Sequence, residues 1–135
     1  MSNNATPVIR KTVFSPSLWE GKMGYSRGKR VGDHIYIAGC VACDGRGNIM
    51  GTDAYQQTIF IIEKIEKYLQ ELDAGLADVV STVTHLRDFV FFDDYCRAFK
   101  EKFGDIGPVN TTIAVDSMVK PEHLVEITAI AIDSR

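Results

Sequence analysis

The clearest pattern of apolar positions lies between residues 53 and 72. Apolar side chains recur there every three or four residues and define one face of a helix, formed by Tyr55, Ile59, Ile62, Ile65, Leu69 and Leu72. Residues 93–103 repeat this spacing with three aromatic residues, Tyr95, Phe99 and Phe103. Asp53 and Asp93 stand where helix caps are expected, and Gly75 can end the longer segment. The pattern predicts two amphipathic helices.

Six shorter segments are rich in β-branched and aromatic residues and are bounded by turn-forming residues, which is typical of strands. They are residues 11–14, 29–31, 34–38, 79–88, 110–116 and 124–132. In the last segment both alternating sets of side chains are largely apolar. This strand is therefore predicted to lie in the middle of a sheet, covered on each side.

These elements follow the order β-β-β-α-β-α-β-β along the chain, which predicts a single α+β domain over residues 1–135. Both helices are expected on one face of the sheet. The other face still needs cover, since large apolar patches are rarely left exposed, and so we expect the domain to self-associate. Residues 1–8 are expected to form a frayed N-terminus.

The composition is that of an ordinary globular protein, with 45% hydrophobic and 24% charged residues. The net charge of −3 provides no basic footprint, so nucleic-acid binding is not expected. No apolar run approaches the roughly 20 residues that span a bilayer, and the start of the chain has no secretory signal pattern. An odd number of cysteines, three, favours a reducing compartment. We therefore expect a cytoplasmic protein with no membrane partner.

Several short motifs occur in a fixed order from about Tyr25 to Ile132. They are Gly-Tyr-Ser at 24–26, Val-Gly-Asp-His-Ile-Tyr-Ile-Ala-Gly at 31–39, Gln-Thr at 57–58, Ala-Asp-Val-Val through Leu-Arg-Asp at 77–88, Pro-Val-Asn-Thr-Thr at 108–112 and Leu-Val-Glu-Ile-Thr-Ala-Ile-Ala at 124–131. As an ordered set they resemble the YjgF/RidA family. The resemblance implies a chorismate-mutase-like fold with a mixed sheet, a homotrimer around a central β-barrel, and ligand clefts between subunits. We expect no cofactor and no metal.

The resemblance also implies a candidate site. It suggests that Tyr25, Ala38, Gly39 and Glu126 line the cleft, with Tyr25 and Glu126 catalytic, and that Cys96 stands where the family has an asparagine. The implied activity is hydrolysis of reactive enamines and imines, such as 2-aminoacrylate, to keto acids and ammonia. In that reaction the glutamate helps to position water, and an arginine holds the substrate carboxylate.

Asn110 departs from this resemblance, because the family's arginine is expected at its position. A guanidinium binds a carboxylate through two charge-assisted hydrogen bonds, whereas an amide is neutral. Hydrogen bonds to charged groups contribute about 1.5–3 kcal/mol, so the replacement predicts an altered substrate. Arg27 shares a face with Tyr25 if the segment is extended and is a candidate substitute for binding. We favour instead a solvated surface arginine, because most arginines are exposed.

Other candidates have structural alternatives. Glu126 is either a base that positions water or a hydrogen-bond anchor at a subunit contact, and the resemblance favours the first. Cys40 opens a C-x-x-C pair that follows a strand rather than starting a helix, so we favour a wall residue of the pocket over a redox or metal role. No histidine has ligand spacing: His34 and His123 are expected to be exposed, and His85 to be a hydrogen-bonded strand residue.

Three functions are open. The first is a divergent deaminase-like hydrolase that acts on enamine or imine compounds with an altered substrate, and it rests on Tyr25, Gly39 and Glu126. The second is a non-catalytic ligand-binding or scaffold trimer, and it rests on Asn110 and Cys96. The third, suggested by older descriptions of the family, is a ribonuclease or translation inhibitor, which the acidic net charge disfavours. We favour the first, with a small metabolite as ligand.

Overall fold

A computed structural model describes residues 7–134 and has six strands and three α-helices in this part of the chain. The strands are β1 (Arg10–Val13), β2 (Gly28–Val31), β3 (His34–Val41), β4 (Val79–Leu86), β5 (Val109–Ala114) and β6 (Val125–Ile132). The helices are α1 (Leu18–Met23), α2 (Ala54–Glu71) and α3 (Phe92–Phe103). All predicted elements are present. The prediction missed α1, whose six residues are too few to show a periodic pattern. The expected fraying of residues 1–8 falls mostly outside the described residues.

The six strands form one sheet in the order β1-β2-β3-β6-β4-β5. Neighbouring strands are antiparallel except β4 and β5, which are parallel because the chain between them crosses over through α3. The predicted central position of the last strand is confirmed, since β6 pairs with β3 on one side and β4 on the other. The α+β class and the mixed sheet are confirmed as well.

The hydrophobic core lies between the sheet and one layer formed by α2 and α3. Along β6 the side chains that face this layer are buried, namely Val125, Ile127, Ala129 and Ala131. The buried face of α2 is wider than the apolar pattern indicates and includes Gln57 and Thr58. Tyr55 and Ile59 were expected on this face but are only half-buried. The ring of Tyr55 instead packs against Arg97, with 4.1 Å between the guanidinium carbon and the ring centroid.

The helix ends agree only in part with the sequence prediction. Asp53 caps α2, and its carboxylate accepts a hydrogen bond from a backbone N–H of the first turn (2.7 Å). The chain leaves α2 through Asp73, whose φ of 65° takes the role expected of Gly75. α3 begins at Phe92, so Asp93 lies in its first turn and does not cap it. Among the described residues, no helix has the length and apolar character needed to cross a membrane.

The opposite face of the sheet packs against neither α2 nor α3. It presents Glu126, Thr128 and Ile130 from β6, each of them partly exposed. Tyr36 and Ile132 on the same side are 47% and 40% exposed. We call this surface the open face of the sheet, and its exposed apolar side chains are the feature from which self-association is expected.

Candidate functional site

A β-bulge in β3 brings Gly39 against Glu126. The pairing of β3 with β6 shifts between Ile37 and Cys40, where β3 has one extra residue. A β-carbon at Gly39 would lie 2.8 Å from Cδ of Glu126 and 3.0 Å from its Oε2. A side chain at position 39 would therefore displace the Glu126 carboxylate.

The other side of the Glu126 carboxylate contacts His85. The two residues are cross-strand partners on β6 and β4, and Nδ1 of His85 lies 3.0 Å from Oε1 of Glu126. The His85 and Glu126 side chains are 30% and 34% exposed, so both are accessible from the open face. The prediction that His85 is a hydrogen-bonded strand residue is confirmed. Its partner was not predicted, because finding it requires the register of two strands whose contacting residues are 41 positions apart.

Arg27 is buried, so the expectation of a solvated surface arginine is wrong. The residue is 5% exposed. Its Nε donates to Oε2 of Glu20 (3.1 Å), its Nη1 to the carbonyl oxygen of Gly39 (2.6 Å), and its Nη2 to the phenolic oxygen of Tyr25 (3.2 Å). Arg27 therefore holds both the tyrosine and the bulge in position.

Glu20 balances the charge of Arg27. It lies on α1, which follows the N-cap Ser17 and ends at Gly24, whose φ of 83° favours glycine. The Glu20 carboxylate also accepts hydrogen bonds from the backbone N–H and the hydroxyl of Ser15. Because the guanidinium is paired in this buried contact, Arg27 is not a free cation for a substrate carboxylate.

Part of this cluster borders a broad cleft of about 1060 Å³. Tyr25, Arg27, Gly39 and Glu126 line it together, so the chain brings this half of the expected site to one place. The residue that sequence reasoning missed in this cluster is Glu20, since α1 itself was not predicted.

The cysteines of the C-x-x-C pair have different surroundings. Cys40 is buried, and its thiol donates to the carbonyl oxygen of Ala38 (3.3 Å). Burial raises the pKa of the Cys40 thiol, and the opposing effect of Arg27 does not reverse this. Cys43 lines the cleft, where Nζ of Lys64 lies 3.6 Å from its Sγ. All three cysteines are free, and residues 7–134 contain no group of three or more side chains able to hold a metal ion.

His123, just before β6, is buried, so the prediction of exposure is wrong. Its backbone N–H donates to the carbonyl oxygen of Lys120 (3.1 Å), and this turn directs the imidazole inward. Nδ1 has no hydrogen-bond partner among the described residues. Burial lowers the pKa of the imidazole, and the neighbouring Lys120 lowers it further, so the ring is neutral at pH 7. His34 is exposed, as predicted.

Asn110 and Cys96 lie at a different cavity, of about 470 Å³, between α3 and β5. Asn110 pairs with Thr82, whose side chain is buried on the helix-covered face, whereas Glu126 lies on the open face. Nδ2 of Asn110 donates to Oγ1 of Thr82 (3.0 Å), and its Oδ1 accepts a hydrogen bond from Thr112 (2.6 Å). One chain therefore does not bring Asn110 and Cys96 to Glu126.

Comparison with known proteins identifies the family. The family model described as endoribonuclease L-PSP matches residues 19–133, which is most of the chain. The chain belongs to the YjgF/RidA family. A crystal structure of a YjgF/YER057c/UK114 family member from Mycobacterium tuberculosis is 33% identical, covers 93% of this chain and 100% of its own, and superposes with a TM-score of 0.85. The YjgF-type fold implied by the motifs is thus confirmed.

Sequence relatives agree with the YjgF/RidA assignment. A RutC family protein from Saccharolobus solfataricus is 32% identical over 124 residues, which is 91% of this chain and 98% of the relative. The 3-aminoacrylate deaminase RutC from Acinetobacter baylyi is 28% identical over 98 residues, or 72% of this chain and 77% of that protein. Asn110 lies within residues 19–133, the range that the family model matches. The YjgF/RidA resemblance leads one to expect an arginine at this position.

Proposed function

We propose that this YjgF/RidA protein hydrolyses enamine or imine compounds. The observation that carries the proposal is the Glu126 carboxylate, which is held between Gly39 and Nδ1 of His85 while about a third of the side chain stays exposed. A carboxylate held in this way can accept a proton from a water molecule that attacks the carbon of a C=N bond. The similarity to a 3-aminoacrylate deaminase supports the same reaction class.

The proposed reaction needs water as its only co-reactant. The water oxygen bonds to the imine carbon while one water proton passes through Glu126 to the nitrogen. The resulting carbinolamine loses ammonia and leaves a carbonyl group. An enamine first takes up a proton at carbon and loses one from nitrogen to become the imine. Tyr25 accepts a hydrogen bond from Arg27, which leaves the phenolic proton free to bind the substrate.

We further propose that a neighbouring subunit of a homotrimer completes the site. Asn110 and Cys96 border a cavity separate from the cleft of Glu126, so their approach to that cleft requires a second copy of the chain. Exposed apolar residues of the open face, such as Tyr36 and Ile132, supply a contact surface for it. The expected barrel of three sheets places this open face inside the assembly.

A non-catalytic ligand-binding trimer is the second candidate. It is favoured by Asn110, which carries no charge and whose amide is already hydrogen-bonded to Thr82 and Thr112. A ribonuclease has less support, because a net charge of −3 does not favour binding to a phosphate backbone.

Ammonia release from freshly generated 2-aminoacrylate and related imines tests the proposed hydrolysis. Wild type is compared with Glu126→Gln and Asn110→Arg, and Glu122→Gln serves as a control at an exposed carboxylate. We expect Glu126→Gln to lose about 100-fold in rate or more, since proton transfer contributes that much, and the control to keep the wild-type rate.

Two other outcomes are informative. Full turnover by Glu126→Gln would exclude the carboxylate from the chemistry. If neither wild type nor Asn110→Arg reacts, but a metabolite raises the unfolding temperature, the binding function is supported instead. Sedimentation tests the trimer, and a stable monomer would contradict a cleft between subunits.

A further inference from the structure

The cavity beside Asn110 has aromatic walls. Five rings line it, from Phe89, Phe92, Tyr95, Phe99 and Phe103. Successive ring centroids in this series are 5.6, 6.3, 5.6 and 4.9 Å apart, so the rings form a continuous apolar surface. The volume of about 470 Å³ lies in the range of small-molecule sites.

The polar side chains of this cavity that lie inside its rim are neutral, and those of Asn110 and Tyr95 are hydrogen-bonded to threonines of β4. Nδ2 of Asn110 donates to Thr82 (3.0 Å), and the hydroxyl of Tyr95 donates to Thr84 (2.7 Å). Among the described lining residues Lys100 alone is charged, and it is exposed at the rim. The interior therefore offers no ionic partner for a carboxylate, and burying an unpaired charge there is unfavourable.

The apolar walls are incompletely buried within one chain. Phe89 is 52% exposed and Phe92 is 39% exposed, although both belong to the aromatic series. Covering these rings with an apolar group is favourable, because it removes their surface from water. A flat aromatic group also suits the edge-to-face geometry, since the planes of Phe89 and Phe92 meet at 60°.

We propose that the ligand of this protein carries an aromatic or bulky apolar group, which enters the aromatic cavity, and that this group rather than a carboxylate anchors it on the Asn110 side. The inference rests on the proposed function for the identity of the ligand as an imine or enamine. It replaces small, carboxylate-anchored compounds with larger apolar ones as the expected substrates. Asn110, which replaces the expected arginine, and the ring surface beside it then both favour apolar substrates over small, carboxylate-anchored ones.

Matched substrates test this preference. Imines are generated in place by an amino-acid oxidase from L-phenylalanine and from L-alanine, and kcat/KM is measured for each with the full chain. We expect wild type to favour the phenylalanine-derived imine by more than about tenfold, a typical discrimination by an apolar pocket. Phe92→Ala should reduce that ratio towards unity, whereas Phe14→Ala, at an exposed phenylalanine outside the cavity, should keep it.

A binding measurement separates this inference from the proposed hydrolysis. Phenylacetamide, which is uncharged and unreactive, is titrated into wild type and Phe92→Ala while heteronuclear NMR follows the backbone signals of α3 and β5. Binding by wild type that Phe92→Ala weakens supports the apolar site even if no imine is hydrolysed. The proposal is overturned if the alanine-derived imine is preferred. It is also overturned if phenylacetamide does not bind to wild type, which is the result expected if a second copy of the chain fills the cavity. Thermal unfolding checks that Phe92→Ala is folded.

Discussion

Glu126 occupies the space that a side chain at position 39 would need. A β-carbon added to Gly39 would lie 2.8 Å from Cδ of Glu126, closer than real β-carbons approach other heavy atoms. The glycine of the bulge and the histidine of β4 thus enclose the carboxylate from two sides. A change at either position is expected to move Glu126.

Gly39→Ala should therefore destabilise the protein and displace the carboxylate. We expect a loss of about 1–3 kcal/mol in the free energy of unfolding, the usual effect of adding a methyl group to a packed site. Urea denaturation measures it. Gly21→Ala is the matched control, because a β-carbon there meets nothing within 4 Å.

A double-mutant cycle tests whether the stability lost in Gly39→Ala comes from the contact with Glu126. In a Glu126→Ala background the methyl group at position 39 has room, so most of the cost of Gly39→Ala should disappear. An equal cost in both backgrounds would show that the strain lies in the bulge backbone and not in the carboxylate contact.

His85 is predicted to position Glu126 for catalysis. His85→Leu removes the nitrogen 3.0 Å from Oε1, and we expect kcat to fall by about 100-fold with a smaller change in KM, as for a misplaced catalytic group. His85→Asn keeps a donor near the place of Nδ1 and should recover part of the rate. Steady-state kinetics of the two variants test whether His85 positions Glu126, with His34→Asn, at an exposed histidine, as control. Equal losses in both variants would argue for a structural role.

The buried Glu20–Arg27 pair should contribute far more to stability than a surface pair. Its side chains are 3% and 6% exposed, so Glu20→Gln leaves a guanidinium without its counter-charge, at a cost of about 3–5 kcal/mol. Asp94→Asn breaks a contact to Arg97 whose side chains are 50% and 62% exposed, and should cost less than about 1 kcal/mol. Urea denaturation compares the two variants, and similar losses in the free energy of unfolding would contradict the prediction.

Stability should decline at acid pH in part because of His123. Burial lowers the pKa of this imidazole, and Lys120 lowers it further. The unfolded chain therefore takes up the proton first, near pH 6.5, and the free energy of unfolding falls until the pH passes the lower pKa of the folded state. Between about pH 8 and pH 5, His123→Gln should lose less stability than wild type in urea denaturation. Parallel curves would show that His123 titrates normally.

Periodicity alone was sufficient for most of the fold. α2 begins and ends within one residue of its predicted bounds, because its cap and its apolar face are both local features. The central position of β6 followed from the apolar character of both its faces. α1 was missed because its helical turns rest on Ser17 and Gly24 rather than on a repeating pattern.

The site was harder to predict, because its contacts depend on tertiary structure. Arg27 was expected in solvent, since nothing in the sequence indicated that Glu20 would face it from an unpredicted helix. His123 was also expected to be exposed, but a turn at Lys120 directs it inward. The partnership of His85 with Glu126 depends on strand register, which residue types do not specify.

The position of β6 has a consequence for synthesis of the protein. β6 follows the other five described strands along the chain and is translated after them, yet it separates β3 from β4 in the sheet. Until the ribosome has completed it, the edges of β3 and β4 that pair with β6 in the folded sheet have no partner strand. Such edges pair readily with other chains. Translation that stops before residue 125 is therefore expected to yield an aggregating fragment instead of a smaller folded unit.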